Sequence, residues 1–330
     1  MKNLPPGTLR RWAKYLLVLS VWPGSALGQR IDNLAAFRDP GTDRYLRLHY
    51  DNDYFTASDY YYTQGYQLEA VHPVLKKNPL TKVLVRLPGS ATRYGLALEH
   101  IGFTPTHIDR PEVLRGDRPF AAAIFIKSFT VSTDTVQRVR VSAGLSTGVL
   151  GPVAFGEGMQ STLHRWLGGA EPLGWKHQIR NDLVLNYELN YERELYSLAR
   201  FLTLHSLLQL RAGTLSTRAQ AGFTMMLGKF NGPFGNASVM QKKPFQLYIY
   251  GQPLVSLVGH DATLQGGLFN RKSTYILSAA DLTRSTLQYN LGGVFQYKKL
   301  LLEYYLTLLS REFETGRNHR WGGVRLGLAM

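Results

Sequence analysis

The chain has 330 residues, 44% of them hydrophobic and 18% charged, with 19 Tyr, 15 Phe and no cysteine. No cysteine means no disulfide framework, no thiolate metal site and no cysteine nucleophile. Past the N-terminus, no run approaches the roughly 20 unbroken apolar residues of a spanning helix, and the net charge of +15 points to an anionic partner.

Residues 1–28 read as a secretory signal. Lys2, Arg10, Arg11 and Lys14 form a positive start, Tyr15 to Trp22 an apolar centre, and Ala26-Leu27-Gly28 a small-residue site before a cut at Gln29. The apolar run is too short for a membrane anchor. Residues 29–330 are then one exported domain, with 34 basic against 23 acidic residues and a charge of +11. For an exported bacterial protein, lipopolysaccharide or phospholipid headgroups suit that charge better than nucleic acid.

The first patterned stretch is YDNDYFTASDYYYTQGYQL, residues 50–68. It places Asp51, Asn52, Asp53 and Thr63 at the facing ends of two adjacent strands. A turn, a cation site and a catalytic edge all fit those residue types. Further on, period two dominates. Val139, Val141, Ala143 and Leu145 share one face. Leu183, Leu185, Tyr187, Leu189 and Tyr191 share another, opposite Val184, Asn186, Glu188, Asn190 and Glu192.

Segments of this kind start near residues 44, 62, 93, 123, 138, 182, 201, 216, 245, 286 and 300, and a last one closes the chain at WGGVRLGLAM. Their length of about ten residues and the tyrosines near their ends suit tilted strands crossing a bilayer with an aromatic girdle. Residues 253–280 are ambiguous. Bacterial single-chain barrels have even strand counts, so the expectation is an all-β transmembrane antiparallel barrel of about twelve strands. A soluble β-sandwich is the competing pattern.

One segment breaks the period. Phe155 to Gly169 fits a short helix with Met159, Leu163 and Trp166 on one side, Gln160 and His164 stacked one turn apart, and Gly168-Gly169 as a stop. Such an insertion is where chemistry is expected. Trp175 reads as an interface anchor. Arg118 reads equally as a salt-bridge partner inside the barrel or a phosphate contact. His72, His100, His107, His177, His205, His260 and His319 show no ligand spacing, so a histidine zinc site is not expected. No Gly-x-Ser-x-Gly elbow is present.

The blocks DNDYF (51–55), YYTQGYQL (61–68), FTP (103–105), DRPFAA (117–122), 151–175, NYER (190–193), LQGGLF (264–269) and SREFE (310–314), in this order, resemble the outer-membrane lipid A 3′-O-deacylase family. The likeness runs from about Tyr45 to the C-terminus. It departs at Asp51, where family members often have Glu, at Asn181 to Leu185 in place of an Asn-Glu-Pro start, and at Met330 in place of a terminal aromatic.

The resemblance implies a twelve-stranded barrel in the bacterial outer membrane, with its site between barrel wall and short helix. It implies hydrolysis of the ester carrying the 3′ acyl or acyloxyacyl chain of lipid A, with Ca²⁺ required. The family's functional Asn-Asp pair falls on Asn52 and Asp53, its Thr on Thr63 and its histidine on His164. The residue chemistry agrees with these assignments. A neutral imidazole at His164 suits a general base, and Asp53 with Asn52 offers oxygen ligands for a hard cation. Lipopolysaccharide and outer-membrane lipids are the expected partners. Oligomeric state is left open, with a monomer the expectation. The rival functions are a non-catalytic barrel (channel or lipopolysaccharide-binding scaffold) and a related phospholipid esterase.

Overall fold

A computed structural model describes residues 34–58, 60–232, 234 and 244–330. The expected signal, residues 1–28, lies outside the described residues. Twelve strands follow in chain order: β1 (Tyr45–Asn52), β2 (Tyr61–Val71), β3 (Ala91–Thr104), β4 (Ala121–Asp134), β5 (Val139–Leu150) and β6 (Asp182–Leu198), then β7 (Leu202–Gly213), β8 (Ser216–Lys229), β9 (Phe245–Asp261), β10 (Ser285–Tyr297), β11 (Leu300–Leu309) and β12 (His319–Ala329). Each pairs antiparallel with its neighbours, and β1 closes on β12 from Tyr45↔Ala329 to Asn52↔Gly322. The expected barrel is met. The ambiguous region 253–280 resolves into the end of β9, a short helix α2 (Ala262–Gln265) and a loop to β10.

Alternation decides which side chains meet lipid. Leu46 and Leu48 are exposed on β1, while Arg47, His49 and Asp51 point into the lumen. On β6, Leu183 and Leu185 face out and Val184, Asn186, Glu188, Asn190 and Glu192 face in, as the pattern requires. Closure leaves no unpaired edge, the condition for a sheet in hydrocarbon.

The connections divide the two ends. One end carries residues 53–60, 105–120, 151–181, 214–215, 262–284 and 310–318, and helix α1 (Gly156–Leu167) lies in the third of these. The other carries short turns at 135–138, 199–201 and 298–299 together with 72–90. Long loops mark the extracellular end of such barrels, so α1 sits at the outer surface.

At the inner end the segment Leu34 to Asp39 enters the lumen and bonds to several walls. The Ala36 amide donates to Glu192 Oε1 at 2.9 Å, and Arg38 Nε donates to Glu303 Oε1 at 2.8 Å. Asp39 pairs with Arg93 at 2.6 Å and Arg140 at 2.9 Å. Buried charges are costly alone, and mutual pairing offsets that cost.

Residues 72–90 form a strap on the outside of the barrel. Two short 3-10 turns, Pro73–Lys77 and Pro79–Val83, carry its backbone across β3 and β4. Non-helical backbone at membrane depth needs protein partners, and the wall provides them. Asn78 Nδ2 donates to Ser128 Oγ at 3.0 Å, and Tyr187 OH donates to Val83 O and accepts from the Val85 amide, both at 3.1 Å. Ser128 and Thr130 occupy outward positions on β4 yet are buried. Their polarity on the lipid face follows from the strap above them.

Candidate functional site on the outer wall

Asn52 ends β1 and caps a 3-10 turn, Asp53–Thr56, by accepting the Tyr54 amide on Oδ1 at 2.7 Å. Asp53 Oδ2 accepts the Tyr60 amide at 2.7 Å, drawing the hairpin loop closed. Ala57, with φ 53°, makes the reversal. Both side chains are buried. The β1–β2 ladder ends at Asp51↔Gly65. Two residues beyond it on each strand, Asp53 and Thr63 stand at the same end of the hairpin.

Thr63 owes its direction to a bulge. The β2–β3 register shifts between Tyr62 and Gln64, leaving Thr63 as the extra residue. Tyr62 points inward and donates to Asp51 Oδ1 at 2.8 Å. A Cβ on outward-facing Gly102 would lie 3.2 Å from Gln64 Cγ and 3.3 Å from Thr63 Cγ2. Thr63 and Gln64 therefore share the outer face. One inserted residue splits lumen from site.

Helix α1 lies against this outer face. A Cβ on Gly156 would come within 2.5 Å of Ala122 Cβ on β4, and one on Gly174 within 2.3 Å of the Phe120 ring; both glycines are there for close approach. Gln160 is fully buried and spans the contact. It accepts the Trp175 indole N–H on Oε1 at 2.7 Å, which fixes its amide orientation, and donates from Nε2 to Thr63 Oγ1 at 3.1 Å. Trp175 was expected at the membrane interface, but it is wholly buried, because the chain returns beneath α1 and the indole holds Gln160. Among the described residues, Trp166, 83% exposed, is the tryptophan that faces outward. His100 escaped the sequence reading. It is an outward yet buried position on β3, and Nε2–H donates to Ala154 O at 2.8 Å. A polar residue in the lipid-facing register was the available signal.

His164 follows Gln160 by one turn. Its Nδ1 lies 2.6 Å from Ala170 O. A carbonyl only accepts, so Nδ1 is the donor in this contact and Nε2 is the ring nitrogen outside it. Gly168, with φ 71°, ends the helix, and the Gly169 amide returns to His164 O at 2.9 Å. A Cβ on Gly169 would stand 2.9 Å from Nδ1, so the glycine pair lets the chain fold back onto the imidazole.

The structure thus links Thr63 to the His164 helix through Gln160 and sets Asn52 and Asp53 at the same corner of the wall. The His164 side-chain bond runs to Ala170. Arg118 resolves as a lumenal ion-pair partner, bonded to Glu312 and, at 2.7 Å, to Thr263 Oγ1. Asp51 belongs to the lumen too, accepting Tyr62 and Tyr305 hydroxyls.

The model of the family described as outer membrane protein LpxR matches residues 16–330. The chain belongs to the LpxR family. Among solved structures, LpxR from Salmonella typhimurium superposes with a TM-score of 0.70 at 20% identity, covering 87% of this chain and 100% of that one. That likeness concerns the fold. A weaker one, to a mutant of the monoaromatic hydrocarbon channel TodX, has a TM-score of 0.40 at 10% identity, covering 93% and 96%. A search of curated proteins by sequence gave no match. Membership of the LpxR family, with the twelve-stranded barrel, places the protein in the outer membrane.

The oxygen chemistry at the corner suits a hard cation, with limits. Asn52 Oδ1 already serves the turn, so the amide acts chiefly in shaping it. No ready cluster of three acidic, histidine or cysteine side chains occurs among the described residues. Asp53 is the carboxylate available at this corner, and uncharged oxygens, backbone or water, would complete a Ca²⁺ shell around it.

Proposed function

We propose that this LpxR-family barrel is an esterase that removes the 3′-linked acyl or acyloxyacyl chain of lipid A. The observation that carries the reading is the placement of His164: its Nδ1 lies 2.6 Å from Ala170 O, which leaves Nε2 for base chemistry, on a helix pinned to the outer wall at the extracellular end. Substrate held in the outer leaflet reaches that wall without entering the lumen.

His164 Nε2 takes a proton from water as the water oxygen attacks the ester carbonyl. The tetrahedral intermediate collapses, the bond between the acyl carbon and the sugar's 3′ oxygen breaks, and the imidazolium returns the proton to the departing sugar alkoxide. The Nδ1–H bond to Ala170 O keeps the ring oriented and its charge compensated through both transfers. Thr63, fixed by Gln160, and Asn52, through its cap, hold the corner in shape. Asp53 would hold Ca²⁺, which when bound supplies positive charge for the developing oxyanion.

The test is mass spectrometry of lipid A incubated with purified, folded protein. Loss of the 3′ chain is expected, and His164→Ala should slow it by about 10²–10⁴ while the barrel keeps its heat-modifiable mobility. Near-normal turnover in that variant would remove His164 from the base role, and intact lipid A with the wild-type chain would end the esterase reading.

A further inference from the structure

Inside the barrel, at the outer end, lies a chamber of about 80 Å³ walled by β2 to β9, β11 and β12. One water needs about 10–15 Å³ on this scale, so the space suits a small ligand rather than a sugar. It is separate from the outer-wall site: Tyr62 lines it, while Thr63, the next residue, faces the other way.

Three donors that line this chamber lack hydrogen-bond partners among the described residues. Arg218, Ser216 and Trp321 are 5%, 6% and 1% exposed. Arg218 Nε, Ser216 Oγ and Trp321 Nε1 are buried without a hydrogen bond, and Arg218 makes no ion pair with any described residue. Nearby cations are differently placed. Lys127 pairs with Glu99 at 3.0 Å, Arg211 with Glu188 at 2.5 Å, and Arg118 with Glu312. Asp261 Oδ1 is engaged by Thr263 at 2.6 Å. Burial pushes the Glu312 carboxyl up to about 7, so near neutral pH it supplies only part of a negative charge. The carboxylates of Glu188, Asp261 and Glu312 offset part of the Arg218 charge, but its buried Nε–H has no partner among the described residues, and a stranded buried donor is costly.

We propose that this chamber binds a small oxyanion, phosphate or carboxylate, on the Arg218 guanidinium, with the Ser216 hydroxyl and Trp321 indole N–H as flanking donors. Guanidinium forks match both anions. The strands wall the chamber from lipid, so the ligand enters as a free anion from the extracellular end rather than as a lipid headgroup.

Isothermal titration of the detergent-folded full chain with inorganic phosphate, acetate and short-chain phosphatidic acid separates the sources. Saturable binding of phosphate or acetate is expected, weakened at least tenfold in Arg218→Met and severalfold in Trp321→Phe, which loses only the N–H. Trp321→Phe carries the test if Arg218→Met fails to fold. Absence of saturable binding by both free anions, or unchanged affinity in the folded variants, overturns the site. So does binding confined to phosphatidic acid, which would show a headgroup held elsewhere.

Discussion

Gln160→Leu would cut the link between helix and wall while leaving the barrel ladders untouched. Gln160 is fully buried and makes two side-chain hydrogen bonds, to Trp175 and Thr63. Leucine is of similar bulk and makes neither. The lost Thr63 bond costs about 1 kcal/mol and the stranded Trp175 N–H about 1–3 kcal/mol, so the docked state of α1 loses roughly 2–4 kcal/mol. At about 1.4 kcal/mol per tenfold, that shifts the docked–undocked balance by roughly 30- to 700-fold. Hydrogen exchange should show α1 amides opening faster by that order, with deacylation falling in step and heat-modifiable mobility unchanged. Gln160→Glu keeps an acceptor for Trp175 and can accept the Thr63 hydroxyl, so its effect should be smaller. Unchanged α1 exchange in Gln160→Leu would refute the linkage, and so would a loss confined to barrel melting.

Chelation by EGTA should stop hydrolysis and added Ca²⁺ restore it, with Asp53→Ala needing much higher Ca²⁺; full turnover in chelator would leave Asp53 a purely structural role. Tyr187→Phe removes the hydroxyl that bonds both Val83 and Val85, so proteolysis within 72–90 should become faster, by about 1–3 kcal/mol of local opening, while the barrel stays resistant. Glu312 has its pKa raised by burial from an ordinary 4.5 to about 7. Its contribution to stability is therefore fully present below about 4.5 and lost as pH rises through 7. Thermal unfolding should show that fall, and Glu312→Gln should flatten it; an unaltered slope would place the titration elsewhere.

The alternation on β6 announced which residues face lipid, because a half-polar strand has only one arrangement in a barrel; on β5 the outward Val139, Val141 and Ala143 are instead buried. The break in period at Phe155 to Gly169 likewise announced α1. Thr63 was harder to read, since its outward direction depends on a bulge that the sequence does not mark and that only the β2–β3 register reveals. Trp175 misled for a related reason. An aromatic near a loop resembles an interface anchor until the chain is seen to double back beneath α1, where the indole N–H finds Gln160. The strap was invisible as such, although the hydroxyls of Ser128 and Thr130, in lipid-facing register, are its imprint on the wall.

The segment Leu34 to Asp39 has an electrical consequence. It ties β6 through Glu192, β11 through Glu303, and β3 and β5 through Arg93 and Arg140, so its charged bonds cross the lumen from wall to wall. An ion moving down the axis would have to displace those pairs, each fixed in low dielectric where separation is costly. These pairs therefore oppose ion flow along the strand-lined cylinder. Reconstituted in a planar bilayer, it should show no steady conductance.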